Sequence, residues 1–315
     1  MTPSKRRAVS RAARGLVFLF CWGWGMAFAA PSLLFVGNSF LYGAGSAVRF
    51  YRADTVTDLN GGGVGGVPAL VKSFYQQAGL EVQVYLELQG GSNFDFHVRH
   101  KGDLLRRPWD RVVMHGYSTL DAKRPGHPAQ LIEGAVQAAD LLRQGNPQVK
   151  IDLLSTWSRA DQTHPSGAKW SGRPIEAMAL DVRAAYDQAQ KASGAQGVIP
   201  VGQAWNRAFA LGVADPNPYD GIAAGQMNLW ASDHYHASTA GYYLEALVVF
   251  GYLTGVDPRS LGDSECSAFE LGLSTSEVRQ LQRVAYEELV SVPGLALAPG
   301  SRTPPKSPSR CAPAR

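Results

Sequence analysis

Two short segments carry residue types that could do acyl-transfer chemistry. The first, residues 33–40, reads LLFVGNSF: an apolar run that ends at Gly37 and is followed at once by Asn38 and Ser39. A strand ending there sets Ser39 at the carboxyl edge of a sheet, with its hydroxyl placed as a nucleophile and its backbone N–H as an oxyanion donor. The second, residues 231–239, reads ASDHYHAST and holds Asp233 and His236 three positions apart, just ahead of a helical pattern. A serine nucleophile needs an imidazole base, and that base needs a carboxylate to hold its tautomer and stabilise the imidazolium. A spacing of three within one loop lets Asp233 meet one ring nitrogen of His236 while the other faces Ser39. Each segment also has a plainer reading: Gly-Asn-Ser is a common turn, and 231–239 is a helix N-cap region with surface histidines.

Other motifs compete for the same chemistry. Asp233, His234 and His236, with His97 or His100, include the donor types of a zinc site. The run Gly61-Gly62-Gly63-Val64-Gly65-Gly66 matches G-x-G-x-x-G, yet the residues before it are mostly polar and do not read as a strand, which argues against dinucleotide binding. It reads instead as a mobile loop, a lid beside Ser39. Ser39 has Gly37 before it but Leu41 after it, so the nucleophile elbow Gly-x-Ser-x-Gly is absent, as are a Walker A sequence and HExxH.

The elements that must position these residues alternate along the chain. Strand-like runs at 33–36, 82–88, 111–114, 149–154 and 198–201 are followed by helical patterns at 68–78, 94–105, 128–143, 174–192 and 205–211, with further helices at 238–253 and 274–290. This alternation predicts a parallel sheet covered on both faces, whose active site forms outside the carboxyl ends of the strands. The segments that fall there are Gly37–Ser39, Gln89–Ser92, His115–Ser118 and Ser155–Trp157. Asn38, His115 and Trp157 are therefore expected to line the substrate site, although His115 also reads as a buried histidine and Trp157, like Trp230, as core.

GNSF near the start of the folded part, the glycine pair of QGGSN at 89–93, and D-x-x-H ahead of a late helix together resemble the SGNH (GDSL-like) hydrolases over residues 32–255. That resemblance implies an α/β chain with a three-layer α/β/α, flavodoxin-like parallel sheet. It implies Ser39 as nucleophile, His236 as base and then acid, and Asp233 as its orienter. The oxyanion would be held by the N–H groups of Ser39 and Gly91 and by a third donor after the third strand. Where the family has Gly-x-Asn-Asp, this chain has His115-Gly116-Tyr117-Ser118-Thr119. Ser118 falls at the amide position and offers a shorter, rotating donor. A branch of SGNH-like proteins that begins with GNSF and carries a polar residue and Ser in this place looks similar.

The implied function is that of an exported serine esterase or deacetylase acting on an O-acyl ester, of a small molecule or a polysaccharide, through an acyl-enzyme and with no metal or organic cofactor. The alternatives are an acyltransferase using the same triad, and a low-activity carbohydrate-binding protein on the same fold.

The ends of the chain complete the reading. Residues 1–29 carry Lys5, Arg6, Arg7, Arg11 and Arg14, then an apolar run and Ala27-Phe28-Ala29, the layout of a cleaved secretory signal peptide. Export to the periplasm or beyond, with no stable membrane insertion after cleavage, is the expectation. Of the formal net charge of +4 in 315 residues, five positive charges and no negative one precede Ala30, so the remainder comes to −1 and gives no ground for nucleic-acid binding. A single hydrolase-like domain is expected over 30–296, and a disordered Pro/Ser/Arg-rich tail over 297–315. Of the three cysteines, Cys266 and Cys311 remain after cleavage as a candidate pair.

Overall fold

The computed structural model describes residues 29–300. The expected signal peptide lies outside the described residues except for Ala29, and so do Cys311, the candidate partner of Cys266, and the tail from 301 on.

Six parallel strands form one sheet: β1 (Ser32–Gly37), β2 (Thr57–Asp58), β3 (Gln83–Leu88), β4 (Arg111–Met114), β5 (Lys150–Ser155) and β6 (Gly197–Pro200), in the order β2-β3-β1-β4-β5-β6. Apart from the two-residue edge strand β2, this is the flavodoxin-like order, with helices on both faces. The helices are α1 (Gly66–Ala78), α2 (Phe94–His100), α3 (Gly102–Leu105), α4 (Ala129–Gly145), α5 (Ala160–Thr163), α6 (Glu176–Ser193), α7 (Val201–Ala210), α8 (Thr239–Thr254), α9 (Cys266–Glu270) and α10 (Thr275–Leu289).

Alternation along the strands divides the core in two. Leu34 and Val36 of β1 join Val112, Met114, Ile151 and Leu153 in a cluster with residues of α2, α4 and α6. Leu33 and Phe35 face the other way, into a cluster with α1, α7, α8 and α10. Side chains that alternate between two buried faces leave no solvated side, which is why these strands read as continuous apolar runs. α8 is apolar nearly all round and buried along almost its whole length, packed against α1, α7 and α10. Among the described residues no helix is long and apolar enough to cross a membrane.

Three expectations need correction. The helix read over 94–105 breaks at Lys101 into α2 and α3. The glycine run is a turn tied down by Asp58, whose carboxylate accepts the N–H groups of Asn60, Gly62 and Val64 at 2.9, 2.8 and 3.1 Å, so it does not form a free lid. Glycine is required there because α1 closes against the backbone after Ser39: a Cβ on Gly65 would lie 1.8 Å from the Tyr51 carbonyl oxygen. At the other end, residues 297–300 belong to the folded body. Ala298 pairs with Val256, its N–H donates to the Gly255 carbonyl at 2.8 Å, and Leu297 packs on the core.

Candidate active site

The last residue of β1, Gly37, must be glycine because the His115 ring occupies the space beside it; a Cβ there would come within 2.5 Å of the imidazole. The chain then turns tightly. The Asn38 carbonyl accepts the N–H groups of Leu41 and Tyr42, and the Asn38 side-chain oxygen accepts the Phe40 N–H at 3.2 Å. The Asn38 amide donates to the carbonyls of Ser92 at 2.9 Å and Gly116 at 3.1 Å, joining the loops that follow β3, β1 and β4. Asn38 is buried with every side-chain hydrogen-bonding group occupied, so it fixes the site's frame and does not line a pocket.

The segment around His236 closes on itself through an antiparallel bridge between Trp230 and Ala237 and a 2.8 Å bond from the Ala231 N–H to the His236 carbonyl. Within it, one Asp233 oxygen accepts the N–H groups of Tyr235 and His236 at 3.0 and 2.9 Å, and the other lies 2.6 Å from His236 Nδ1. His236 Nε2 lies 2.9 Å from Ser39 Oγ. With the Asp233 carboxylate as acceptor, Nδ1 carries the proton and Nε2 accepts from the serine hydroxyl. Partial burial pushes the Asp233 carboxyl up, but the hydrogen bonds from the His236 ring and from the two backbone N–H groups outweigh it and hold it below the usual carboxylate range. The structure thus brings Ser39, His236 and Asp233 into one hydrogen-bonded chain across 197 positions of sequence. The helix-cap reading of this segment is also satisfied, by a different residue: Ser238 accepts the Gly241 N–H at the start of α8.

His115 and Trp157 do not line the site. His115 is fully buried, and its Nε2 accepts the Asn38 N–H at 3.5 Å; burial pushes its imidazole down to about 3, which leaves it neutral. Trp157 is fully buried, stacked between Phe40 at 4.4 Å and Trp205 at 4.7 Å, while its indole N–H donates to the Tyr235 carbonyl at 3.2 Å. It is a pillar joining the residue after Ser39 to the segment that carries His236. Trp230 is buried as well, and its indole N–H donates to the Ser158 carbonyl at 3.0 Å.

Around Ser39 the oxyanion candidates differ. The backbone N–H groups of Ser39 and Gly91 donate to no acceptor among the described residues. Gly91 adopts φ +67°, and its carbonyl accepts the Tyr117 hydroxyl at 2.6 Å. Ser118 is buried, and its Oγ accepts a bond from Arg159 Nη1 at 3.4 Å.

Arg159 is a site residue that sequence reasoning missed. Its guanidinium pairs with Asp161 at 2.9 and 2.5 Å and lies 3.5 Å from the Tyr235 ring centre, and Tyr235 in turn stacks on His236 at 4.0 Å. The one signal available was its place four residues beyond the carboxyl end of β5. A second missed group is the buried chain of Ser92, His97 and Glu87, with Ser92 Oγ 2.9 Å from His97 Nε2 and His97 Nδ1 3.2 Å from Glu87. It engages both His97 nitrogens, so His97 offers no free nitrogen to the zinc arrangement considered for the 233–236 loop; among the described residues no group of three or more His, Cys, Asp or Glu could hold a metal ion.

No protein-family model matches the sequence, and no curated protein does. Solved structures do resemble it. A DUF4886 family protein from Bacteroides uniformis aligns with a TM-score of 0.56 at 15% identity, over 84% of this chain and 96% of that one. A GDSL-like lipase from Parabacteroides merdae aligns with a TM-score of 0.51 at 16% identity, over 71% of this chain and 95% of that one. At such identities the likeness is one of architecture, and it agrees with the strand order and the layering of helices described above. The chain has the SGNH (GDSL-like) hydrolase fold.

Proposed function

We propose that this chain is an exported serine esterase or deacetylase that cleaves an O-acyl ester carried by a carbohydrate, using its own side chains alone. The observation that carries the reading is the continuous hydrogen-bonded chain from Ser39 Oγ through His236 to Asp233. In the first step His236 Nε2 takes the serine proton as Oγ attacks the ester carbonyl, and Asp233 stabilises the imidazolium that forms. The N–H groups of Ser39 and Gly91 and the Ser118 hydroxyl receive the oxyanion. His236 then gives its proton to the departing alcohol, leaving an acyl group on Ser39. Water, activated by the same imidazole, releases the acid and restores the serine.

The test is hydrolysis of p-nitrophenyl acetate by residues 30–315. The account expects turnover that Ser39→Ala abolishes; turnover that survives the substitution contradicts it. Adding a sugar acceptor separates transfer from hydrolysis: acetylated sugar among the products would identify an acyltransferase working through the same triad.

A further inference from the structure

From His236 a ledge of alternating aromatic and planar polar groups runs outward. Tyr235 stacks on His236, and the Arg159 guanidinium lies over Tyr235 and pairs edge-on with Asp161. The Asp161 N–H donates to the His234 carbonyl at 3.2 Å. The His234 ring carries that of Tyr219 at 4.3 Å between centres, and His164 supports Tyr219 from another side at 5.5 Å. Tyr219 is 46% exposed although two rings hold it.

This support is built into the backbone. The loop that presents Tyr219 is gathered by Asp215, which accepts the N–H groups of Asn217 and Ala223 at 2.9 and 2.7 Å, and the Asn217 side chain accepts the Tyr219 N–H at 3.1 Å. His234 has φ +54°, a left-handed conformation that strains a non-glycine residue. That strain falls between Asp233 and His236 in the segment that forms the hydrogen-bonded chain, and the strained residue is the one whose ring backs Tyr219.

Building on the esterase reading, we propose that this ledge is a subsite for the alcohol part of the substrate, and that the alcohol is a sugar ring. A pyranose offers an apolar C–H face that suits an aromatic ring and a rim of hydroxyls that suits a carboxylate and a guanidinium side by side. Asp161 and Asp220, both in this region, oppose a phosphate or nucleic-acid backbone. A fatty chain laid along the ledge would strip water from Asp161 and Arg159 without replacing their hydrogen bonds. The Arg159 bond to Ser118 links the ledge to the oxyanion side of Ser39.

Two measurements decide this. The first compares kcat/KM for glucose pentaacetate with that for p-nitrophenyl acetate in the wild type, Tyr219→Ala and Tyr219→Phe. The ratio should fall about fivefold to tenfold in Tyr219→Ala, through KM, and be largely restored in Tyr219→Phe. An unchanged ratio in an enzyme that hydrolyses p-nitrophenyl acetate would overturn the subsite and leave the esterase reading intact. The second measures binding of cellotetraose to Ser39→Ala by calorimetry, with no turnover required. Binding that Tyr219→Ala weakens by a similar factor supports the subsite even if the wild type hydrolyses neither ester, an outcome that would refute the esterase reading alone. No binding, or binding indifferent to Tyr219, overturns the subsite.

Discussion

Among the described residues, two chains of serine, histidine and carboxylate lie within hydrogen-bonding distance. In one, Ser39, His236 and Asp233 are joined at 2.9 and 2.6 Å; in the other, Ser92, His97 and Glu87 are joined at 2.9 and 3.2 Å. Their surroundings separate them. The Asp233 and His236 side chains are 45% and 16% exposed, whereas those of Glu87 and His97 are 0% and 1%. Ser39 stands in a turn where its own N–H and that of Gly91 meet no acceptor among the described residues, while the Ser92 hydroxyl also reaches the Gly37 carbonyl at 3.4 Å. A relay of the right residue types is therefore not yet a reactive serine; it also needs access for an acyl group and unoccupied donors to receive the developing charge. The Glu87 chain instead braces the loop that presents Gly91 against the end of β1.

The comparison can be broken most sharply at the base. His236→Ala should lower kcat for p-nitrophenyl acetate on the order of 10⁴-fold or more, and Asp233→Asn about 10³- to 10⁴-fold, since it leaves the imidazole in the wrong tautomer. Steady-state kinetics on both variants check this, and losses below tenfold would mean that the two chains do not differ in kind. Substitution in the buried chain should act on stability instead. His97→Gln should cost about 1–3 kcal/mol in urea unfolding by leaving buried partners unsatisfied, with kcat reduced less than tenfold. A kcat loss matching that of His236→Ala would assign the buried chain a chemical role.

An effect on stability alone distinguishes the histidines by pH. The unfolded chain takes up a proton at His115 near pH 6.5, but the folded protein does so only near 3, so this residue removes stability as pH falls through that window. Between pH 7 and pH 4 the loss is about 3 kcal/mol, and it should be absent in His115→Gln. Urea midpoints for both proteins at the two pH values measure it, and equal acid sensitivity would count against a neutral, buried His115. Asp233 contributes with the same sign by another route. Its depressed carboxyl gives stability that is present above the unfolded carboxylate range and is lost as pH falls through its folded value.

The sheet and most helices were legible because strand and helix periodicities are local, and β1 could be read directly from its apolar run ending at Gly37. The two-residue β2 was not, because Thr57–Asp58 carries no period and is a strand only through pairing with Tyr85 and Leu86. Ser39, Asp233 and His236 were legible because nucleophile chemistry constrains residue type and the Asp-to-His spacing is local. The expected pocket residues were misplaced for one shared reason. Asn38, His115 and Trp157 all stand at carboxyl ends of strands or next to them, but their neighbours come from other strands and loops: Ser92 and Gly116, Gly37, and Phe40 with Trp205. Position along one strand cannot show whether a side chain there turns inward. The glycine run misled in the opposite direction: it read as a mobile lid, whereas Gly65 and Gly66 serve a close approach of α1 to Tyr51 and Leu41. Arg159 left no trace because its partners Ser118, Asp161 and Tyr235 meet only once the sheet has brought three loops to one edge.

The central claim is that Ser39, and not Ser92, is an activated nucleophile. The most direct test is to label the folded protein with a fluorophosphonate and locate the adduct by mass spectrometry, with Ser39→Ala and His236→Ala alongside. The account predicts one adduct, on Ser39, that is lost in both variants. An adduct on Ser92, or none on folded wild-type protein, would contradict it.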